Sequence, residues 1–296
     1  MNRRDFIMKS AALAALGVVG QKVFSFPAES MAKRNKGRIG IQLYSVKDTL
    51  EKAPLESLKK LSDIGYSSVE AYGYQGEKFV GYTLKEFSKI LNDLGMTLSG
   101  SHTGSRLLPE NTNDPQWDFW KKCATEIKSG GGQWAVQSFF PGARTLDDLK
   151  KLAGHFNRCG EVCKKQGAKF GIHNHSAEFG VIDGIIIYDF LLQNTNPSLV
   201  HFQLDTGHAL ESGADCAEYF QKYPGRFPLW HASDFNVQQK AVVELGKGNI
   251  DYAKLFELEK TSGLEVLTVE QETGNDRYES CRIDFDYLKQ FKWTKV

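Results

Sequence analysis

A chain of 296 residues is longer than a typical single domain, but parallel α/β barrels routinely reach this size as one unit. Its 41% hydrophobic and 12% aromatic residues supply a large core and exclude a disordered chain. Lysine and arginine total 37 against 36 acidic residues, so a net charge of +1 leaves no basic face for nucleic acid.

The first segment, Met1 to about Ser25, carries Arg3-Arg4-Asp5-Phe6 ahead of an apolar run from Ala11 to Val19. That run is too short to span a bilayer, and its cationic leader marks an export signal. Paired arginines followed by Phe6, Ile7, Met8 and Lys9 resemble the twin-arginine signal, which implies a periplasmic or otherwise exported protein. No lasting membrane insertion is expected once the signal is removed. Residues 26–37 read as a polar linker, and 38–296 as one domain.

From there the chain alternates eight times between short extended runs and helix-period stretches. The expected strands are Ile39–Tyr44, Ser68–Tyr72, Thr97–His102, Gln133–Gln137, Lys169–His173, Leu199–Asp205, Pro228–Ala232 and Glu265–Glu270. Between them lie amphipathic stretches over Pro54–Ile64, Thr83–Leu94, Trp117–Ile127, Leu146–Lys165, Tyr188–Gln193, Cys216–Lys222 and Tyr252–Lys260, with a closing helix over Tyr278–Phe291. Strand, helix, strand without hairpins implies a parallel sheet. Eight units predict closure into a single-domain (β/α)8 TIM barrel, and no glycine-rich dinucleotide fingerprint follows the first strand.

The five cysteines are an odd count without metal-binding spacing and read as buried, apolar-like residues, with one bridge between distant cysteines left open. The C-terminal strand ends of such a barrel form its active face. Polar residues collect there: His102, His173-Asn174-His175 with Glu178 beyond, Asp205-Thr206-Gly207-His208, His231 with Asp234, and Glu270-Gln271-Glu272, whereas Glu70 and Tyr72 on the second strand and Gln42 and Tyr44 on the first read first as filling of the barrel interior. A divalent cation accounts for this convergence, because crowded carboxylates and imidazoles would otherwise repel or stay unpaired. Mixed oxygen and nitrogen donors suit manganese, cobalt, magnesium, iron or zinc.

Several stretches resemble the xylose-isomerase-like barrel superfamily of sugar phosphate isomerases and epimerases. They are "GIHNHSAEF" at 171–179, "LDTGH" at 204–208, "LWHASDF" at 229–235, "ELGKGNIDY" at 244–252 and "TVEQE" at 268–272. The resemblance covers the chain from about Arg38 onward. It implies one divalent metal held by Glu178, Asp205, His231 and Glu270. Glycine and the His173-Asn174-His175 triplet occupy the stretch where relatives carry their strand-five acid, so His173 or His175 stands as the alternative ligand. Ser233 replaces a lysine common in relatives.

On this resemblance the expected chemistry is isomerisation or epimerisation of a keto-sugar or polyol through an enediolate. The alternatives are a lyase or hydratase acting on a 3-keto-sugar or keto-glycoside, and a non-catalytic sugar-binding protein. Glu178 and Glu270 are the candidate acid and base, and His208 and His102 the groups that position or polarise the substrate. His173, His175, Glu70 and Lys247 are candidate substrate contacts. The expected partner is a small sugar, with homo-oligomer formation left open.

Overall fold

A computed structural model describes residues 39–293. The expected export signal (1–25) and linker (26–37) lie outside the described residues. Eight parallel strands close into a barrel: β1 (Ile39–Gln42), β2 (Ser68–Ala71), β3 (Thr97–Thr103), β4 (Trp134–Gln137), β5 (Lys169–His173), β6 (Val200–Asp205), β7 (Leu229–Ala232) and β8 (Val266–Val269). Each strand pairs with its neighbours in sequence, and β1 pairs with β8 to seal the ring, Ile41 lying beside Val269. All eight expected strands are present, so the fold is the TIM barrel that the alternation implies.

Helices α1 (Pro54–Ile64), α2 (Leu84–Asp93), α3 (Asp118–Ser129), α4 (Leu146–Lys165), α5 (Ile187–Asn194), α6 (Cys216–Lys222), α7 (Tyr252–Glu257) and α8 (Arg277–Leu288) follow the strands. Local chemistry sets their starts. Thr83 with Glu86 and Thr145 with Asp148 form reciprocal capping boxes, and Pro54 opens α1 where its missing N–H costs nothing. The helix expected over Tyr252–Lys260 breaks at Leu258 into α7 and a separate turn, Glu259–Ser262. Two antiparallel ribbons, absent from the sequence reading, follow β5 and β7: Val181–Ile182 with Ile185–Ile186, and Asp234–Asn236 with Ala241–Val243.

Alternation along each strand sorts its side chains between two faces. Val69, Phe202, Leu204, Trp230 and Leu267 join the core under the helices. Trp230 stacks on Phe220 at 4.6 Å between ring centroids and so fixes α6 against β7. Trp134, Val136 and Leu229 form a separate apolar cluster. Two residues past Leu229 comes His231, on the same face and nearer the C-terminal mouth.

The pairing of β2 with β3 shifts register between Val69 and Glu70, which accommodates an extra β3 residue and sets Gly100 opposite Glu70. A Cβ on Gly100 would run into the Trp134 carbonyl, so the strands can approach this closely only at a glycine. All five cysteines are buried and free, so the bridge left open by the sequence is not formed. No described helix is long and apolar enough to cross a membrane.

Candidate metal centre

Glu70 lies at the centre of the polar layer beneath the mouth. Gln42 on β1 donates to its Oε2 at 2.9 Å, and the Gln203 amide on β6 donates to both carboxylate oxygens at 3.1 and 3.2 Å. His231 Nε2 donates to Glu70 Oε2 at 2.6 Å, and His102 Nε2 lies 3.3 Å from the same oxygen. The Gln203 carbonyl accepts from His102 Nε2 at 2.8 Å. Five strands are thus tied through one carboxylate.

On its other edge His231 Nδ1 donates to Glu270 Oε2 at 2.8 Å, just past the end of β8. A ring with a carboxylate at each nitrogen holds a proton on both. Burial opposes that charge, but Glu270 and Glu70 outweigh it and raise the His231 pKa to about 10. Glu270 is likewise burdened by burial, yet His231 carries its pKa down to about 2. His173 has no carboxylate so near: burial first, then His102 and His231, depress its pKa and keep the ring neutral.

Asp205 ends β6 and caps the short helix Thr206–Glu211. Its Oδ1 accepts from the His208 backbone N–H at 2.8 Å and from the Ser233 hydroxyl at 2.6 Å. Ser233 Oγ also accepts the Gly207 N–H at 2.9 Å, and a Cβ on Gly207 would collide with that hydroxyl. The glycine of "LDTGH" therefore lets the helix turn tightly under Ser233. Asn174 bonds both the N–H and the C=O of Asp205, locking the end of β5 to the end of β6.

The residues present fit a divalent cation. One ligand atom each from His173, Asp205, His231 and Glu270 falls within 4.8 Å of the others, and His102, His173 and His231 form an overlapping group. His173 Nδ1 is buried with no partner among the described residues. Two carboxylates and two imidazoles match the donors preferred by manganese, cobalt, iron, zinc and, through oxygen, magnesium. Glu70, bonded to His231 Nε2, is placed as the carboxylate that would orient this histidine from behind if its other nitrogen held an ion.

The cluster floors a cavity of about 370 Å³ lined by Tyr44, Lys47, Tyr72, His102, His173, His175, Glu270 and Glu272, among others. The structure brings together Asp205, His231, Glu270, His173 and His102, with His175 and His208 beside them at 4.9 Å between rings. Three expectations change. Glu178 does not join the cluster: its Oε2 accepts the His175 N–H at 2.9 Å in a turn beyond β5, and His173 takes the strand-five position. Glu70 is not a mouth contact but lies beneath His102 and His231, because its strand position faces the closed interior. Lys247 is exposed and paired with Glu244 at 3.4 Å, outside the cavity lining.

Sequence reasoning missed Lys47 and Arg277, which reach the mouth region from helix starts that periodicity does not orient, and it read Tyr44 as barrel filling, whereas a 3-10 turn after β1 leaves Tyr44 exposed at the mouth. Glu272, which shares a strand face with Glu270 in the sequence pattern, lines the mouth, and burial and then Glu270 raise its pKa.

The chain matches the xylose isomerase-like TIM barrel family over residues 58–291 and belongs to it. It is 28% identical over 193 residues to an inosose dehydratase of Geobacillus kaustophilus, covering 60% of each chain. An inosose dehydratase of Clostridium tetani is 31% identical over 131 residues, covering 38% of this chain and 43% of the relative. The chain thus spans 60% or less of the length of these curated relatives. The solved structure of a sugar phosphate isomerase/epimerase from Parabacteroides distasonis superposes with a TM-score of 0.76 at 28% identity, over 85% of this chain and 93% of that one.

Proposed function

We propose that the protein is a divalent-metal-dependent enzyme that removes the proton beside the ketone of a keto-sugar or cyclic polyol ketone and eliminates water. The observation that carries this is the convergence of His173, Asp205, His231 and Glu270, of which His173 and Glu270 line the cavity and Asp205 and His231 lie buried behind them. The similarity to inosose dehydratases supports elimination. Isomerisation or epimerisation is the second reading, favoured by the Parabacteroides structure, and it shares the first step. The Arg3-Arg4 signal supports action outside the cytoplasm, on an unphosphorylated substrate.

His173, Asp205, His231 and Glu270 would hold a divalent ion, whose positive charge would polarise a ketone and acidify the neighbouring C–H. The remaining work falls to the chain. Burial and then His208 lower the His175 pKa, so its ring is neutral at the mouth and takes the proton. The C–H electron pair becomes the carbon–carbon double bond of an enolate. In elimination the enolate electrons return to form the double bond one carbon further on, and the β C–O bond breaks. Glu272, with its raised pKa, protonates the departing hydroxyl so that water leaves. In isomerisation the proton instead returns to another carbon or to the other face. Glu70, Gln42 and Gln203 hold His231 and His102 in place throughout.

The test combines metal analysis of the native protein, Asp205→Ala and Glu270→Ala with proton–deuterium exchange on 2-keto-myo-inositol and 3-ketoglucose. The expected result is one ion per chain, lost in both variants, with metal-dependent exchange and a product lighter by one water. Exchange without a mass change selects the isomerase reading. A native protein without metal, or equal metal in both variants, sinks the proposal.

A further inference from the structure

The mouth continues sideways into two smaller hollows, of about 220 and 140 Å³, both of which share Tyr44 with the main cavity. Tyr44 is 45% exposed, and its ring meets Tyr72 edge-on at 5.6 Å with the Lys47 ammonium 5.2 Å from its centroid. Arg277, the first residue of α8, lines both hollows, and its Nη1 is buried with no hydrogen-bond partner among the described residues. A guanidinium lining both hollows is a charged donor that calls for an acceptor there.

Charge narrows the identity of that acceptor. Glu272 lines one hollow and Asp48 the other, so Arg277 and Lys47 face as many carboxylates as they supply cations. A phosphate or carboxylate there would meet like charge beside the guanidinium. An aromatic face flanked by both donors and acceptors instead matches a neutral ring carrying many hydroxyls, with its C–H face on the tyrosine and its hydroxyls on Arg277 and Glu272.

We propose that this annex is a second sugar subsite, so that the substrate is a ketone-bearing glycoside with its reacting ring at the His173–Asp205–His231–Glu270 cluster and its second ring on Tyr44 and Arg277. The inference rests on the keto-sugar reading above and goes beyond it in naming the substrate's size and the residues that measure it. An inosose, with one ring, leaves the annex unused.

The test is titration of metal-loaded protein with methyl 3-ketoglucoside, with the disaccharide in which glucose replaces the methyl group, and with the methyl compound phosphorylated at O6. The disaccharide is expected to bind about tenfold more tightly than the methyl compound, the equivalent of one well-made hydrogen bond to a charged group. That advantage should disappear in Arg277→Ala, with the methyl compound shifted less than about twofold, within the scatter of a surface change. Arg277→Met, which keeps the length of the side chain without the guanidinium, gives the same readout if Arg277→Ala fails to fold. Equal binding of methyl compound and disaccharide overturns the subsite and leaves the keto-sugar reading standing. Tightest binding of the phosphorylated compound overturns it in favour of an anion site. If none of the three binds, the keto-sugar reading falls and the subsite with it.

Discussion

Two pairs of buried carboxylates lie close together in this chain and are held in opposite ways. Asp234, three residues past His231, accepts four backbone N–H groups, from Phe235, Gly246, Gly248 and Ile250, at 2.9 to 3.1 Å. Asp284 accepts from the Leu245 N–H at 2.7 Å and the Gln271 amide at 2.6 Å, and burial pushes its pKa up to about 7. Both are fully occupied in fastening the 244–250 loop to the barrel. Glu270 answers only to histidines, and Asp205 uses Oδ1 alone on the chain among the described residues. A buried acid saturated by backbone donors has become part of the scaffold, whereas one facing imidazoles beside a cavity keeps capacity for an ion.

The sharpest way to break that contrast is substitution in each pair. Asp205→Ala and Glu270→Ala should each abolish stoichiometric metal and lower turnover by roughly a thousandfold or more, since metal charge stabilisation contributes several kcal/mol to a transition state. Asp234→Ala should do the reverse. Four backbone donors lose their acceptor, which costs about 3–5 kcal/mol and lowers the melting temperature by roughly 10 °C, while the bound metal is retained in the folded fraction. Loss of the ion in Asp234→Ala would erase the distinction between the two pairs.

A pH series sharpens it further. In the metal-free protein the His231 pKa is raised from 6.5 to about 10, so the stability from its two carboxylate contacts is full below pH 6.5 and drains away as pH climbs toward 10. Glu270 runs the other way: its pKa is lowered from 4.5 to about 2, so its contribution is present above pH 4.5 and is lost as pH falls through 2. An ion must displace the His231 proton, so the rise in melting temperature on adding metal should widen from about pH 6.5 to 9. Calorimetry in two buffers of different ionisation enthalpy should show a proton released on binding. A metal-induced rise that shrinks over this interval would mean that His231 is not a ligand.

Smaller effects separate the residues that the mouth does not use. Glu178→Gln should keep its metal and lose about 1 kcal/mol, the worth of a capping contact. Lys247→Ala should leave metal and melting temperature within about 0.5 kcal/mol of the native protein, because its partner is a surface one.

These outcomes follow the boundary of what the sequence makes legible. The barrel was readable because eight strand–helix alternations leave one closed parallel solution, and Asp205, His231 and Glu270 were readable because they sit at or beside regular strand ends whose direction is fixed. Legibility fails where the chain leaves the strand. Past His173 the backbone turns, Asn174 reaches across to Asp205, and the Glu178 carboxylate folds back onto its own turn, which spacing alone does not reveal. Glu70 was legible as an interior residue of its strand, but not as the carboxylate that bonds Gln42, Gln203 and His231, because those partners come from three other strands. Arg277 lies far in sequence from Tyr44 and Lys47, and only the closed ring sets it beside them.

That closure also gives the protein a built-in order of assembly. Glu70 comes from the second strand and Glu270 from just past the eighth, and His231 is bonded to both. The four-residue cluster is incomplete while the chain is: a nascent polypeptide ending before Val266 holds His173, Asp205 and His231 without their last carboxylate and without the β1–β8 seam. Completion of the cluster is therefore a terminal event of folding, because it requires both ends of the barrel to meet.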